Sequence, residues 1–123
     1  MAQPLLLTYN LKPGSAAGLE AICRNLDIRI REVSPGEYGL PIGALAGIPM
    51  ARTPVPAAVF DDEMLVMCHI LSDELDALLK AMREGGVRIG LKAVLTPVNV
   101  AWNSTDLHSE LAREHSEMQR RTR

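Results

Sequence analysis

The order strand, helix, strand is written twice along this chain, first from Leu5 to Val33 and again from Met64 to Thr96. Two βαβ halves joined by a long loop predict an α+β fold, a ferredoxin-like βαββαβ sandwich, with an added C-terminal helix at about 103–120. With 123 residues, 47% of them hydrophobic, the chain has the size of a single ferredoxin-like domain over residues 1–123, able to bury its own core. The fold hosts many unrelated functions, so it assigns no reaction by itself.

In the first half, the apolar run Leu5-Leu6-Leu7-Thr8-Tyr9 stops at the turn-forming residues Asn10, Pro13 and Gly14. Ser15 then offers a helix cap, and Leu19, Ile22, Cys23 and Leu26 follow at helical spacing. Ile28 and Ile30 alternate with Arg29 and Arg31, which predicts a strand with one apolar face and suits a sheet edge, until Ser34-Pro35-Gly36 ends it. The second half repeats the scheme. Met64 to Ile70 is a strand, Ser72 a cap, and Leu75, Leu78, Leu79 and Met82 an apolar stripe closed by Gly85-Gly86. Val87 to Leu95 alternates again until Thr96-Pro97. Asn103 caps the last helix with Asp106 at its third position. Leu107, Leu111 and Met118 form its apolar stripe beside an acidic one of Asp106, Glu110, Glu114 and Glu117.

Leu91-Lys92-Ala93-Val94-Leu95-Thr96-Pro97, followed by Asn99 and Trp102 and preceded by a Ser-Asp-Glu-Leu-Asp-Ala-Leu-Leu helix, resembles the bacterial family known as domain of unknown function number 3783. Tyr9-Asn10 and Gly43-Ala44-Leu45-Ala46-Gly47 are similar too, so the resemblance extends over most of the chain. It implies a small bacterial, cytoplasmic protein and carries no activity and no catalytic residue with it.

A ferredoxin-like sheet has the strand order 4-1-3-2 with both helices on one face. In that arrangement Leu5, Leu7, Ile28, Ile30, Val66, Cys68, Ile89, Leu91 and Ala93 face the helices. The opposite face then carries Leu6, Thr8, Leu65, Met67, His69, Arg29, Arg31, Lys92 and Val94, part apolar and distinctly basic. Leaving its apolar members in water forfeits roughly 1.5–3 kcal/mol each, so a cover is expected. Three covers fit: the C-terminal helix, in cis or swapped; the same face of a second copy; or a small anionic ligand held by the basic residues.

Lys92, in mid-strand, is the first choice for a functional side chain, tuned by burial for anion or Schiff-base chemistry, against the plainer reading of a lysine that snorkels or pairs with Glu114. His69 is a ligand or general base on the same face, or a hydrogen-bonded strand histidine. Arg29 and Arg31 complete the basic face. Asn99 and Trp102 complete the ligand-binding set, although organising the turn into the last helix explains them as well.

Further along, His108 and His115 stand seven apart, too far for a metal pair on one helix, and read as surface imidazoles; no metal and no cofactor is expected. Asp61, Asp62 and Glu63 read as a solvated run in preference to a Mg²⁺ site. The loop 34–60, with Gly39, Gly43 and Gly47 among prolines, reads as a stiff lid or a short helix packed closely through its glycines, since no phosphate-loop pattern is present.

A net charge of −2 supplies no field for nucleic acid or an anionic membrane. The strands carry no aromatic platform of the kind that binds single-stranded RNA. No apolar run approaches the ~20 residues of a membrane span, the first residues lack a charged leader, and Cys23 and Cys68 read as core thiols of a reducing compartment. The expectation is a cytoplasmic, non-catalytic module that binds a small ligand or a protein and acts as a homo-oligomer. The alternative is an enzyme whose pocket lies between paired sheet faces and uses His69 and Lys92.

Overall fold

In the computed structural model of the chain, which describes residues 3–121, both halves close into βαβ units. Met1 and Ala2, part of the start read above for a leader, lie outside the described residues. The first unit is β1 (Leu5–Tyr9), α1 (Pro13–Leu26) and β2 (Arg29–Glu32), and the second is β3 (Met64–Cys68), α3 (Ser72–Glu84) and β4 (Leu91–Val94). Between them lies the single-turn helix α2 (Ile42–Leu45), and α4 (Ser104–Arg121) follows the second unit.

The strands form one mixed sheet in the order β2-β1-β3-β4. Within each unit the strands are parallel neighbours, Leu6 opposite Ile30 and Met67 opposite Val94. The units join antiparallel along β1 and β3, with Leu7 opposite Val66. This corrects the ferredoxin-like order 4-1-3-2. The antiparallel centre is common to both, but the outer strands have exchanged places. A βαβ pattern reads the same whether its strands are adjacent or separated by one strand, so the repeat does not encode the order. The connection does. In the order 4-1-3-2 the second and third strands are neighbours that a short hairpin can join, whereas here β2 lies beyond β1 and residues 33–63 carry the chain across the sheet.

The faces of β1 and β3 are also the reverse of those expected, although Ile28 and Ile89 do pack on the helix side. α1 and α3 cover Leu6, Leu65 and Met67, packing Leu19, Cys23, Leu78 and Met82 onto them. Leu5, Leu7, Tyr9, Val66 and Cys68 lie on the other face, beneath Tyr38, Ile42, Leu45 and Phe60 of the connection and Leu107 of α4. β1 and β3 are buried along their whole length. A strand that is apolar on both sides has no period-two signal to say which side meets the helices. The cover thus comes from the same chain, and α4 supplies only part of it.

Local signals fare unevenly. α1 opens at Pro13, two residues before Ser15, because proline has no N–H to leave unpaired and its φ suits a first turn. α3 opens at Ser72 itself, and the cap comes from Glu74, whose Oε1 accepts the Leu71 N–H at 3.0 Å. Asn103 does cap α4, accepting the Asp106 N–H at 2.8 Å.

The connection packs through its glycines as the spacing suggests. A Cβ on Gly39 would sit 1.9 Å from the Val55 carbonyl oxygen, and one on Gly43 would sit 2.5 Å from Val100 Cγ2 and 2.7 Å from Met50 Sδ. At its far end the rings of Tyr38, Phe60 and His108 form a stack, with centroids 4.5 and 4.0 Å apart. His108 Nε2 lies 2.8 Å from Asp62 Oδ2. His108 is therefore no surface imidazole but the fastening of the connection to α4. His115 is exposed, beside Gln119.

Candidate functional site

β3 and β4 are parallel and end side by side, so the segments leaving them stand together at one edge of the molecule. From β3 the chain passes through His69, Ile70 and Leu71 into α3, and from β4 through Leu95, Thr96 and Pro97 into a 3-10 turn at Asn99–Ala101. With Pro4 before β1 and Ile48 from the connection, these segments border an open cleft of about 770 Å³. Carboxyl ends of parallel strands are where α/β sheets place ligands, because the strand side chains stop there and the loops splay apart. Ile48, Ile70, Val94, Leu95 and Val100 line the walls, with His69, Glu74 and Thr96 as the polar points. At the mouth Leu71 is 73% exposed, and Val98 on the neighbouring turn is 70% exposed.

The polar points are held by hydrogen bonds. His69 has a left-handed backbone, φ 59°, which turns the chain out of β3. Its Nε2 is 3.0 Å from the Ala46 carbonyl oxygen. A carbonyl only accepts, so Nε2 carries a proton, and Nδ1 is the ring nitrogen left without a partner from this bond. Asn99 is buried and braces the opposite wall: its Oδ1 accepts the Thr96 N–H at 2.9 Å, and its Nδ2 donates to the Val94 carbonyl at 3.1 Å. Thr96 Oγ1 in turn accepts the N–H groups of Val98 and Asn99. Trp102 is half-buried against the second core, and its carbonyl accepts the Ile42 N–H at 2.8 Å, which ties the turn to α2.

The remaining residues of the expected set lie elsewhere. Arg31 clamps β2 to the connection, donating to the Leu45 carbonyl at 2.8 Å and to Glu37 Oε2 at 2.6 Å. The Glu37 carboxyl lies below the usual carboxylate range, held there first by the Ser34 backbone N–H and then by Arg31. Arg29 is exposed beside a shallow groove next to this clamp. Lys92 is exposed, pairs with no glutamate, and donates from Nζ to the Ile89 carbonyl at 2.7 Å; the expected Glu114 partner is absent. It stands opposite Leu65, four residues before His69, a distance of ~13 Å along the strand. His69 and Lys92 thus line different hollows, and both sheet faces between which an enzyme pocket was expected are filled.

Leu71 and Ile48 of the cleft, and Arg83 beside Lys92, escaped the residue-by-residue reading. Glu74 is legible in the sequence as part of the acidic first turn of α3, though not as the group that caps it. Ile48 is not, because its approach depends on the crossing of the connection.

Chemically potent groups in the core are shielded. Burial pushes the Cys23 thiol up to about 11 and the Cys68 thiol up to about 12, and raises the Tyr9 hydroxyl, which bonds to Ser104 Oγ at 2.7 Å. Among the described residues no group of three or more His, Cys, Asp or Glu could hold a metal ion. No helix among them is long and apolar enough to cross a membrane.

The fold and the cleft define an α+β protein built from two βαβ units, with an apolar hollow at the carboxyl ends of the second. Residues 63–118, from the start of β3 into α4, match the family model described as Domain of unknown function (DUF3783), the family that the Leu91–Pro97 segment resembles. No curated protein and no solved structure matches the chain.

Proposed function

We propose that this chain is a non-catalytic, homo-oligomeric binding module of the cytoplasm, and that the cleft at the ends of β3 and β4 seats a small ligand with an apolar body. The observation that carries the reading is the hollow of about 770 Å³ walled by Ile48, Ile70, Val94, Leu95 and Val100. Its size suits a drug-sized molecule, and its few polar groups suit orientation of a ligand more than chemistry upon it. His69 offers its second ring nitrogen at the rim, and Asn99 keeps the wall in shape. The exposed Leu71 and Val98 beside the mouth give a second copy an apolar surface to cover, which supports self-association around the cleft. The buried, unpaired thiols of Cys23 and Cys68 suit a reducing compartment.

Native mass spectrometry of the freshly purified chain tests this reading together with the variant Val94→Arg. Val94 lines the cleft and is partly exposed, so the substitution alters the wall without opening the core. The expected result is an oligomer carrying added mass that Val94→Arg loses. A bare monomer, with binding of an apolar fluorescent probe unchanged by Val94→Arg, would overturn the proposal.

A further inference from the structure

Away from the cleft, the turn between α3 and β4 builds a hollow of different chemistry. Gly86 has a positive φ of 72° and reverses the chain, after which Val87 and Ile89 enter the core and Arg88 between them points outward. Arg83 reaches the same place from the last turn of α3, and Lys92 from the start of β4. The three cations line one groove of about 400 Å³, and no carboxylate lines it. Arg24, Arg31 and Arg113 each have a glutamate partner, whereas among the described residues Arg83 and Arg88, like Arg29 and Arg52, have none.

Two features make the groove more than a solvated basic edge. Lys92 is tethered by its bond to the Ile89 carbonyl, so its ammonium is held over the turn with two N–H donors still available. Three of the C-terminal carbonyls of α3 are already hydrogen-bonded and do not turn free lone pairs on the groove: Gly85 N–H bonds to Ala81 at 2.8 Å, Val87 N–H to Met82 at 2.9 Å, and Gly86 N–H to Arg83 at 3.3 Å. What remains is a concentration of three positive charges in a chain of net charge −2. Guanidinium forks match phosphate oxygens in pairs, and a tethered ammonium adds a third point of contact.

We infer that Arg83, Arg88 and Lys92 form a binding site for a multiply charged phosphate group, independent of the apolar cleft. The group is either an inorganic polyphosphate or the phosphate end of an organic ester. The site rests on none of the contacts that form the cleft, so either reading can fail alone.

Calorimetric titration of the full chain with inorganic pyrophosphate, and separately with a nucleoside diphosphate, at low ionic strength tests the inference. One saturable site is expected, weakened about tenfold or more by Arg88→Gln and by Lys92→Met, and weakened by added salt. Arg29→Gln, on the opposite edge strand, should bind as the unaltered chain does. All three positions are exposed, and unchanged circular dichroism verifies that each variant is folded. Tighter binding of the nucleotide would assign an organic ester, and equal binding the bare phosphate chemistry. Failure of both ligands to saturate the chain would overturn the inference, as would equal losses from Arg29→Gln and Arg88→Gln.

Discussion

Glu37 ties the turn after β2 back onto that strand. Its carboxylate accepts the Ser34 N–H at 3.1 Å and the Arg31 guanidinium at 2.6 Å, while Arg31 also holds the Leu45 carbonyl. The Ser34 N–H first, and then Arg31, favour the charged form and outweigh the partial burial that opposes it, so the folded pKa lies below the ordinary value of 4.5. A depressed carboxylate contributes stability that is fully present above the unfolded value and is lost as pH falls through the folded one. Glu37→Gln should therefore destabilise the protein by about 1 kcal/mol at neutral pH, a modest figure because the pair is partly solvated, and should flatten the decline of stability below about pH 4.5. Urea unfolding at a series of pH values measures both effects; parallel curves for the two proteins would remove Glu37 from the clamp. The alternation of Arg29 and Arg31 with Ile28 and Ile30 placed the arginines on a strand edge correctly, but it could not say that Glu37 waits six residues beyond Arg31, because that contact needs the turn at Pro35–Glu37.

At the scale of elements, the helices and strands were legible because their apolar periods are local, and Asn103 was legible as a cap because a cap is a local hydrogen bond. The pairing of the strands was not. Loop length was the available clue: a connection from 33 to 63 is far longer than a hairpin needs, which argues that β2 and β3 are not neighbours. The same length provides the second layer of the fold. α4 completes that layer through Leu107, which is buried with Tyr9, Phe60 and Leu91. Leu107→Ala should lower stability by about 2–5 kcal/mol, since it opens a cavity between three elements that cannot close on it independently. Equilibrium unfolding in urea measures the loss, and a loss below about 0.5 kcal/mol, as at an ordinary surface position, would show that α4 is not part of the core. The candidate site divides along the same line. His69 lines the cleft and Asn99 braces its wall, and both could be picked out as polar residues near strand ends, whereas the separation of Lys92 from His69 follows from register, which no single strand reveals.

Across the whole molecule the two βαβ units are similar in plan but not independent. The family match at 63–118 covers the second unit and most of α4, which invites the view that this stretch folds alone. The sheet argues otherwise. β3 is an inner strand: its antiparallel ladder with β1 runs from Met64 opposite Tyr9 to Cys68 opposite Leu5. On one face Leu65 and Met67 need Leu19 and Cys23 of α1 as well as Leu78 and Met82 of α3. On the other, Met64, Val66 and Cys68 are closed by Tyr38, Ile42 and Leu45 as well as by α4. Cutting before residue 63 would expose an apolar edge strand with unpaired backbone groups and remove cover from both of its faces. A fragment of residues 63–123 should therefore be unfolded or aggregated in isolation, and should recover native-like circular dichroism and a cooperative melt when mixed with a fragment of residues 1–62. A monomeric 63–123 fragment that unfolds cooperatively by itself would mean that the antiparallel seam between β1 and β3 joins two self-sufficient halves. Recovery only on mixing would mean that the long crossing and the seam make one cooperative structure, in which the cleft, bordered by Pro4 and Ile48 from the first half, exists only when both halves are present.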